Sequence, residues 1–160
     1  MPLSTITAKR CSTISAWAID QGKILLVKHK KLGAWLAPGG HVDENELPHK
    51  AAEREFFEET GIQAEVVSAY PLLEAKESEF LPMPFGCNLH TINKPRGASF
   101  CEQHYVFAYF VKVVDLSGAG HQIEEVDEMR WFTRDEIMEL EMWEDVRSET
   151  LYVFDHFPKI

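Results

Sequence analysis

One segment of the chain, residues 40–62, constrains the fold more than any other, because it combines a helical spacing with clear start and stop signals. Pro48 suits the first turn of a helix, and Gly61 suits the left-handed residue just beyond its end. We therefore predict a helix over residues 47–60. Ala52 and Phe56 lie one turn apart on this helix and are spaced to pack inward. Such a helix covers a sheet with one face and leaves its other face open.

Three carboxylates share the open face of this predicted helix. Glu55, Glu58 and Glu59 stand at positions i, i+3 and i+4, so they fall within roughly 100° of one another around the helix axis. Like charges this close repel, and a divalent cation turns that repulsion into attraction. Carboxylate oxygens select a hard ion, Mg²⁺ or Mn²⁺. A solvated acidic helix face is the alternative interpretation of the same three residues.

The segment resembles the Nudix box of the Nudix hydrolase family. The pattern of that box is Gly, five residues, Glu, seven residues, then Arg-Glu-aliphatic-any-Glu-Glu-any-Gly-aliphatic. All seven fixed positions are filled without a gap, by Gly40, Glu46, Arg54, Glu55, Glu58, Glu59 and Gly61. Phe56 is a mild departure, since an aliphatic residue is usual there. Residues 35–40 and 130–136 also look like the family, so the resemblance extends over most of the chain.

The resemblance implies hydrolysis of a nucleoside diphosphate linked to another moiety, by attack of water on one phosphorus. It implies four ligands for Mg²⁺ (or Mn²⁺), which are the Gly40 carbonyl and the side chains of Glu55, Glu58 and Glu59. Arg54 and Glu46 resemble the pair that orients these carboxylates. The substrate class is a small nucleotide or nucleotide conjugate, and the sequence does not choose among its members.

The resemblance leaves two positions open for the general base, because family members use either of them. One is a box glutamate, here Glu58 or Glu59. The other is an acidic residue on the loop before the Trp131 strand, for which the chain offers Glu124, Glu125, Asp127 and Glu128. We favour Glu125, which lies at the usual distance before Trp131. A solvated acidic loop is the alternative.

Two other functions stay open on the same scaffold. A ligand sensor or binding module is one, although such proteins usually lose box glutamates and this chain keeps them all. An isoprenoid diphosphate isomerase is the other, and it would need a catalytic cysteine such as Cys87 or Cys101.

Several side chains are candidates for contact with the substrate. His41 follows the box glycine and can face the phosphates. A second set can form the pocket walls, namely His90, Phe100, His104 and Tyr105, and Trp17 and Phe85 can stack on a base. Two Cys-x-x-His pairs, Cys87/His90 and Cys101/His104, have a spacing that also suits zinc, although a domain of this size does not require a metal to fold.

The remaining periodicity predicts a single α+β domain over residues 1–160. We expect a strand pair over residues 12–19 and 23–27, a strand-like stretch over 62–73, a short strand near 87–92, and strands over 104–114 and 128–132. Thr133 and Glu136 form a capping box that opens a helix over residues 137–143, and a last helix follows. The resemblance implies that these elements form an α/β/α sandwich with a mixed central sheet.

Composition sets limits on the partners. With 26 acidic and 16 basic side chains the net charge is −10, which disfavours sequence-independent binding to long nucleic acids. No run of apolar residues approaches the length of a membrane span, and the start of the sequence lacks an apolar leader segment. The three cysteines are an odd number, so we expect reduced thiols and a cytoplasmic location.

Overall fold

The computed structural model of the chain describes residues 1–92, 101–120 and 123–160. These residues form a mixed sheet, three α-helices and a short 3₁₀ helix at Leu3–Thr5. The strands are β1 (Arg10–Asp20), β2 (Lys23–His29), β3 (Trp35–Leu36), β4 (Gly39–His41), β5 (Gln63–Val67), β6 (Gly86–Thr91), β7 (Gln103–Asp115) and β8 (Val126–Phe132). The helices are α1 (Pro48–Thr60), α2 (Arg134–Glu139) and α3 (Glu144–His156). None of these helices is long and apolar enough to span a membrane.

The sheet is built around the parallel pair β1 and β7, whose register sets Cys11 opposite His104 and Trp17 opposite Phe110. β1 also pairs antiparallel with β4 near its start and with β2 at its end, and β2 in turn pairs with β3 and β8. On its other edge β7 pairs antiparallel with β6 along its first half and with β5 along its second half. The sheet is therefore mixed, and both β1 and β7 have strand neighbours on either side.

Apolar clusters join the helices to the two faces of the sheet. Ala52 and Phe56 of α1 are fully buried in the first cluster, as their spacing predicts. Ile137 of α2 and Val153 of α3 are fully buried in the second cluster, together with Trp17 of β1. The layers run helix, sheet, helix, which confirms the predicted α+β sandwich.

Two elements differ from the sequence predictions. The strand predicted over residues 62–73 ends at Val67, because β7 exchanges its partner β5 for β6 at that point, and residues 68–85 then run without a strand. The helix predicted over residues 137–143 begins earlier, directly after its N-cap Thr133. It ends at Glu139, since Leu140 has an extended backbone conformation. The capping box between Thr133 and Glu136 is confirmed.

Candidate active site

Helix α1 ends in a backbone contact with the loop that follows β7. Gly61 caps the helix with φ 72°, and its N–H donates to the Phe57 carbonyl at 2.8 Å. A Cβ at Gly61 would lie 2.0 Å from the carbonyl oxygen of Gly118, so the two backbones touch. The Gly120 N–H donates to the Thr60 carbonyl at 2.9 Å. This contact fixes the position of the loop relative to the end of the acidic helix.

A cleft of about 500 Å³ opens between the acidic face of α1 and the residues that precede β8. The side chains and backbone that line it are Glu55, Phe57, Glu58, Glu59, Gly61, Gly118, Glu124 and Glu125. The fold therefore brings the three box glutamates together with Glu125, which lies far from them in the sequence.

Glu59 is the most buried carboxyl group of the cleft, with 4% of its surface exposed. Its carboxylate accepts a long hydrogen bond from the Gly39 N–H, at 3.4 Å. Burial raises the pKa of Glu59 to about 8, with smaller contributions from the charges of Glu55, Glu125 and Glu58. Burial also raises the pKa of Glu55. A bound cation would stabilise the ionised form of these clustered carboxyl groups and so lower their pKa values.

Arg54 holds the acidic side chains in a fixed arrangement. Its Nε and Nη2 donate to the two carboxylate oxygens of Glu46 at 2.7 and 3.0 Å, a bidentate pair. Its Nη1 donates to Glu55 at 2.9 Å and to Glu58 at 3.2 Å, and Nη2 donates to the His41 carbonyl at 3.0 Å. The hydrogen bonds from Arg54 lower the pKa of Glu46, and those accepted by Glu46 raise the pKa of Arg54. One guanidinium thus connects α1, β4 and the turn between them.

Gly40 stands against the carboxylate of Glu55. A Cβ at Gly40 would lie 2.5 Å from the Glu55 carboxyl carbon, so a larger residue would displace that carboxylate. The pairing of β4 with β1, where Gly40 lies opposite Ile14, fixes this backbone segment. The carbonyl of Gly40 and the carboxylates of Glu55, Glu58 and Glu59 all present oxygen atoms, the ligand type that Mg²⁺ and Mn²⁺ prefer.

The family model of the NUDIX domain matches residues 9–153. The chain belongs to the Nudix family. It is 32% identical over 115 residues to a protein named RNA pyrophosphohydrolase from Erythrobacter litoralis, a match that covers 71% of this chain and 68% of that protein. It is 33% identical over 105 residues to nucleoside diphosphate-linked moiety X motif 6 of Xenopus laevis, covering 61% of this chain and 47% of that protein.

Solved structures show the same fold. A NUDIX family hydrolase from Clostridium perfringens superposes with a TM-score of 0.73 at 22% identity, covering 91% of this chain and 97% of that one. A UDP-X diphosphatase superposes with a TM-score of 0.59 at 21% identity, covering 96% of this chain and 66% of that one. These structures are less than 25% identical to this chain and show the fold alone, whereas the NUDIX domain model shows the family.

The structure brings some of the predicted pocket residues of this Nudix protein together and separates others. The rings of His41 and His104 lie 4.8 Å apart at an angle of 88°, and His90 lies opposite His104 in the β6–β7 pair. Tyr105 follows His104 in β7, so its side chain lies on the opposite face of the sheet. Phe100 lies outside the described residues.

Neither aromatic side chain suggested for base stacking lies in the cleft. Trp17 is 1% exposed and belongs to the apolar cluster beneath α2 and α3. Phe85 packs against the same cluster and stacks on Phe110, with ring centroids 4.4 Å apart. Both side chains have structural roles in the core.

The proposed zinc set does not assemble. Cys87 and His90 are three residues apart in strand β6, so their side chains lie on opposite faces of the sheet. Cys101 forms a disulfide with Cys11, with the two Cα atoms 5.6 Å apart. The expectation of reduced thiols is therefore wrong for Cys11 and Cys101, whereas Cys87 is a free cysteine. The parallel register explains the pairing, because it sets Cys11 opposite His104, close to Cys101.

Two features of the site depend on long-range contacts that the sequence does not show. Gly118 lies in the loop after β7, and nothing in the local sequence indicates its backbone contact with Gly61 at the end of α1. The nearness of Cys11 to His41 and Cys101 depends on the order and register of β4, β1 and β7. No local pattern in the sequence reports that register.

Proposed function

We propose that this Nudix protein is a Mg²⁺-dependent hydrolase that cleaves the pyrophosphate bond of a nucleoside diphosphate linked to another moiety, by attack of water on phosphorus. The observation that carries the proposal is the cleft in which Glu55, Glu58 and Glu59 meet Glu125. Its volume of about 500 Å³ is in the range of small-molecule sites, which agrees with a nucleotide conjugate.

The residues that would hold the metal are Gly40, Glu55, Glu58 and Glu59. A bound divalent cation would neutralise charge on the phosphate oxygens and lower the pKa of the attacking water. Arg54 is the positioning residue, because it donates to Glu55 and Glu58 while Glu46 holds the other side of its guanidinium. Arg54 therefore fixes Glu55 and Glu58, while Glu59 accepts a hydrogen bond from the Gly39 N–H.

We assign Glu125 as the general base that accepts the proton from the attacking water. Two observations support this assignment: Glu125 lines the same cleft as the metal-binding carboxylates, and its charge raises the pKa of both Glu55 and Glu59. Glu58 is the second candidate, since it is exposed and lines the cleft. Loss of a general base lowers a rate by about 10²- to 10⁴-fold. Because Glu58 is also a proposed metal ligand, its replacement is expected to weaken Mg²⁺ binding as well, whereas replacement of Glu125 is expected only to lower the rate at saturating Mg²⁺.

On the substrate side, we propose that His41 and His104 contact the nucleotide. Support comes from His41 following Gly40 directly in β4 and from its ring packing against His104. The relative named RNA pyrophosphohydrolase makes an RNA pyrophosphate a second candidate substrate. The net charge of −10 favours the small nucleotide over the long RNA. A cytoplasmic location stays a prediction, and the Cys11–Cys101 disulfide removes the reduced thiols on which it was based.

The test is a substrate panel in the presence of Mg²⁺, with nucleoside triphosphates, nucleotide sugars, dinucleoside polyphosphates, a pyrophosphate-bearing RNA and an isoprenoid diphosphate. We expect two phosphorylated products from a small nucleotide conjugate. Binding without cleavage of any compound would favour a ligand sensor, and an isomerised isoprenoid diphosphate would favour an isomerase. Either result would overturn the hydrolase assignment.

Variants then connect the activity to the cleft. Glu59→Gln is expected to lower kcat by at least about 100-fold, since it removes a ligand of the metal. Glu125→Gln is expected to lower kcat by about 10²- to 10⁴-fold, with Glu58→Gln as the comparison for the base. Glu65→Gln is the matched control, because Glu65 is an exposed carboxylate on β5 outside the cleft. Full activity of Glu59→Gln would show that the assigned carboxylate site is wrong.

A further inference from the structure

Two sulfurs and an imidazole meet at the start of β1 and β7, beside the acidic cleft. The Sγ atoms of Cys11 and Cys101 and a ring nitrogen of His41 all lie within 4.8 Å of one another. His41 Nε2 is 3.3 Å from Cys101 Sγ. Across residues 1–92, 101–120 and 123–160, no other three His, Cys, Asp or Glu side chains bring their ligand atoms this close.

Two of the three side chains belong to strands of the sheet, and the third lies just before a strand. Cys11 belongs to β1, and His41 belongs to β4, where it lies opposite Thr13 of β1. Cys101 lies two residues before β7, the parallel partner of β1. The two cysteine Cα atoms are 5.6 Å apart, so no large backbone movement is needed for both sulfurs to reach one ion.

The chemistry of this group differs from that of the acidic cleft. Thiolate sulfur and imidazole nitrogen favour Zn²⁺ and similar borderline-soft cations, whereas Mg²⁺ prefers oxygen. In a tetrahedral zinc site, the usual bond lengths place a sulfur and a nitrogen ligand roughly 3.6 Å apart. The 3.3 Å between His41 and Cys101 is close to that separation.

A fourth side chain supplies an independent indication of a ligand. His104 Nε2 is buried and has no hydrogen-bond partner among the described residues, and its ring lies 4.8 Å from that of His41. Buried polar atoms without a partner are uncommon, and each one calls for an explanation. A cation beside His41 would give this nitrogen a partner, either directly or through a bound water.

We propose that Cys11, His41 and Cys101 form a second metal site, for Zn²⁺ or a cation of similar softness, which is available when the Cys11–Cys101 disulfide is reduced. Reduction by a dithiol transfers two electrons and two protons to the disulfide, breaks the S–S bond, leaves two thiols and oxidises the dithiol to its own disulfide. Cation binding then releases the two thiol protons to solvent. The disulfide and the metal are therefore alternative occupants of the same place.

The proposal is tested with Co²⁺ as the probe, because a cobalt–thiolate bond absorbs in the near ultraviolet and a carboxylate ligand does not. Wild-type protein is reduced with a dithiol, freed of the reductant under anaerobic conditions and titrated with Co²⁺. We expect one equivalent to bind with a thiolate absorption that Zn²⁺ abolishes and excess Mg²⁺ does not. The same protein in its disulfide form is expected to show no such absorption.

Variants identify the ligands. Cys11→Ser, Cys101→Ser and His41→Ala are each expected to weaken Co²⁺ binding by at least about 100-fold, since loss of even an outer partner of a metal site costs 10- to 100-fold. Cys87→Ser is the matched control, because Cys87 is a free cysteine that this group does not include. It is expected to bind Co²⁺ like the wild type.

The comparison of reduced and oxidised wild-type protein uses no variant. It therefore tests the proposal even if one of the variants fails to fold. Absence of thiolate absorption in the reduced wild-type protein would overturn it and leave a structural disulfide only. Retention of that absorption in Cys101→Ser would also overturn it. Hydrolase activity enters neither readout, so failure here and failure of the proposed function are distinguishable.

Discussion

Gly61→Ala is expected to destabilise the protein by roughly 2 to 3 kcal/mol, because one methyl group meets two separate penalties. Gly61 has φ 72°, and a residue with a Cβ in this left-handed conformation costs roughly 1 to 2 kcal/mol. The added Cβ would also lie 2.0 Å from the carbonyl oxygen of Gly118, a distance that forces the two backbones apart.

The second penalty follows from that displacement. Moving the loop away from α1 breaks the hydrogen bond from the Gly120 N–H to the Thr60 carbonyl, now 2.9 Å long, which is worth about 1 kcal/mol net. For a chain of this size each kcal/mol shifts Tm by about 2 to 4 °C, so we expect a fall of about 4 to 12 °C. Since the same loop leads to Glu125 in the cleft, kcat is expected to fall as well.

Gly22→Ala is the control that separates the two penalties. Gly22 has φ 74°, nearly the same as Gly61, but a Cβ there meets nothing within 4 Å. It therefore carries the conformational cost without the contact. Urea unfolding of the wild type and both variants gives the difference directly, and we expect Gly61→Ala to be less stable than Gly22→Ala by about 1 kcal/mol or more. Equal losses in the two variants would refute the role of the backbone contact.

Three further predictions concern single side chains. Arg54→Lys keeps the charge but loses the bidentate pair with Glu46, so we expect kcat to fall about 10- to 100-fold and the Mg²⁺ requirement to rise; unchanged kinetics would contradict the positioning role. Thr133→Ala removes the capping box of α2 and is expected to lower the free energy of unfolding by about 1 kcal/mol in urea. In chelator-treated protein, the folded-state pKa of Glu59 near 8 lies above its unfolded value of 4.5, so stability should decline between about pH 5 and 8 by an amount on the order of 4 kcal/mol. Glu59→Gln should lack this decline, and parallel pH profiles of unfolding would show that the carboxyl group is not perturbed.

The sequence predicted the parts of the site that depend on local order. Helix α1 begins at Pro48 and ends before Gly61, at the positions that the residue types indicate. The pair between Arg54 and Glu46 forms as their spacing in the box implies. These features lie within one continuous segment, so helix geometry and the length of the Arg54 side chain were enough to predict them.

Features that depend on strand register were not predictable in the same way. Cys11 and Cys101 are separated by 90 positions, and their pairing follows only from the parallel alignment of β1 with β7. His104 and Tyr105 show the same limit at a finer scale, because neighbouring residues of a strand point to opposite faces and a shift of one residue exchanges them. A pattern can indicate that residues belong to a strand without showing which face meets the cleft.

The charge of the cleft connects the metal to the substrate. None of the described residues that line it is basic, and the nearest guanidinium, that of Arg54, is already engaged by Glu46, Glu55 and Glu58. A diphosphate entering this cleft alone would meet carboxylates, because the described residues that line it include no cation. In the proposed mechanism, a bound cation would neutralise the carboxylates of the cleft, and the diphosphate would in turn neutralise the cation, so each would favour binding of the other. The net charge of −10, which disfavours a long polyanion on the surface, is thus compatible with a small anion that enters the cleft together with its metal.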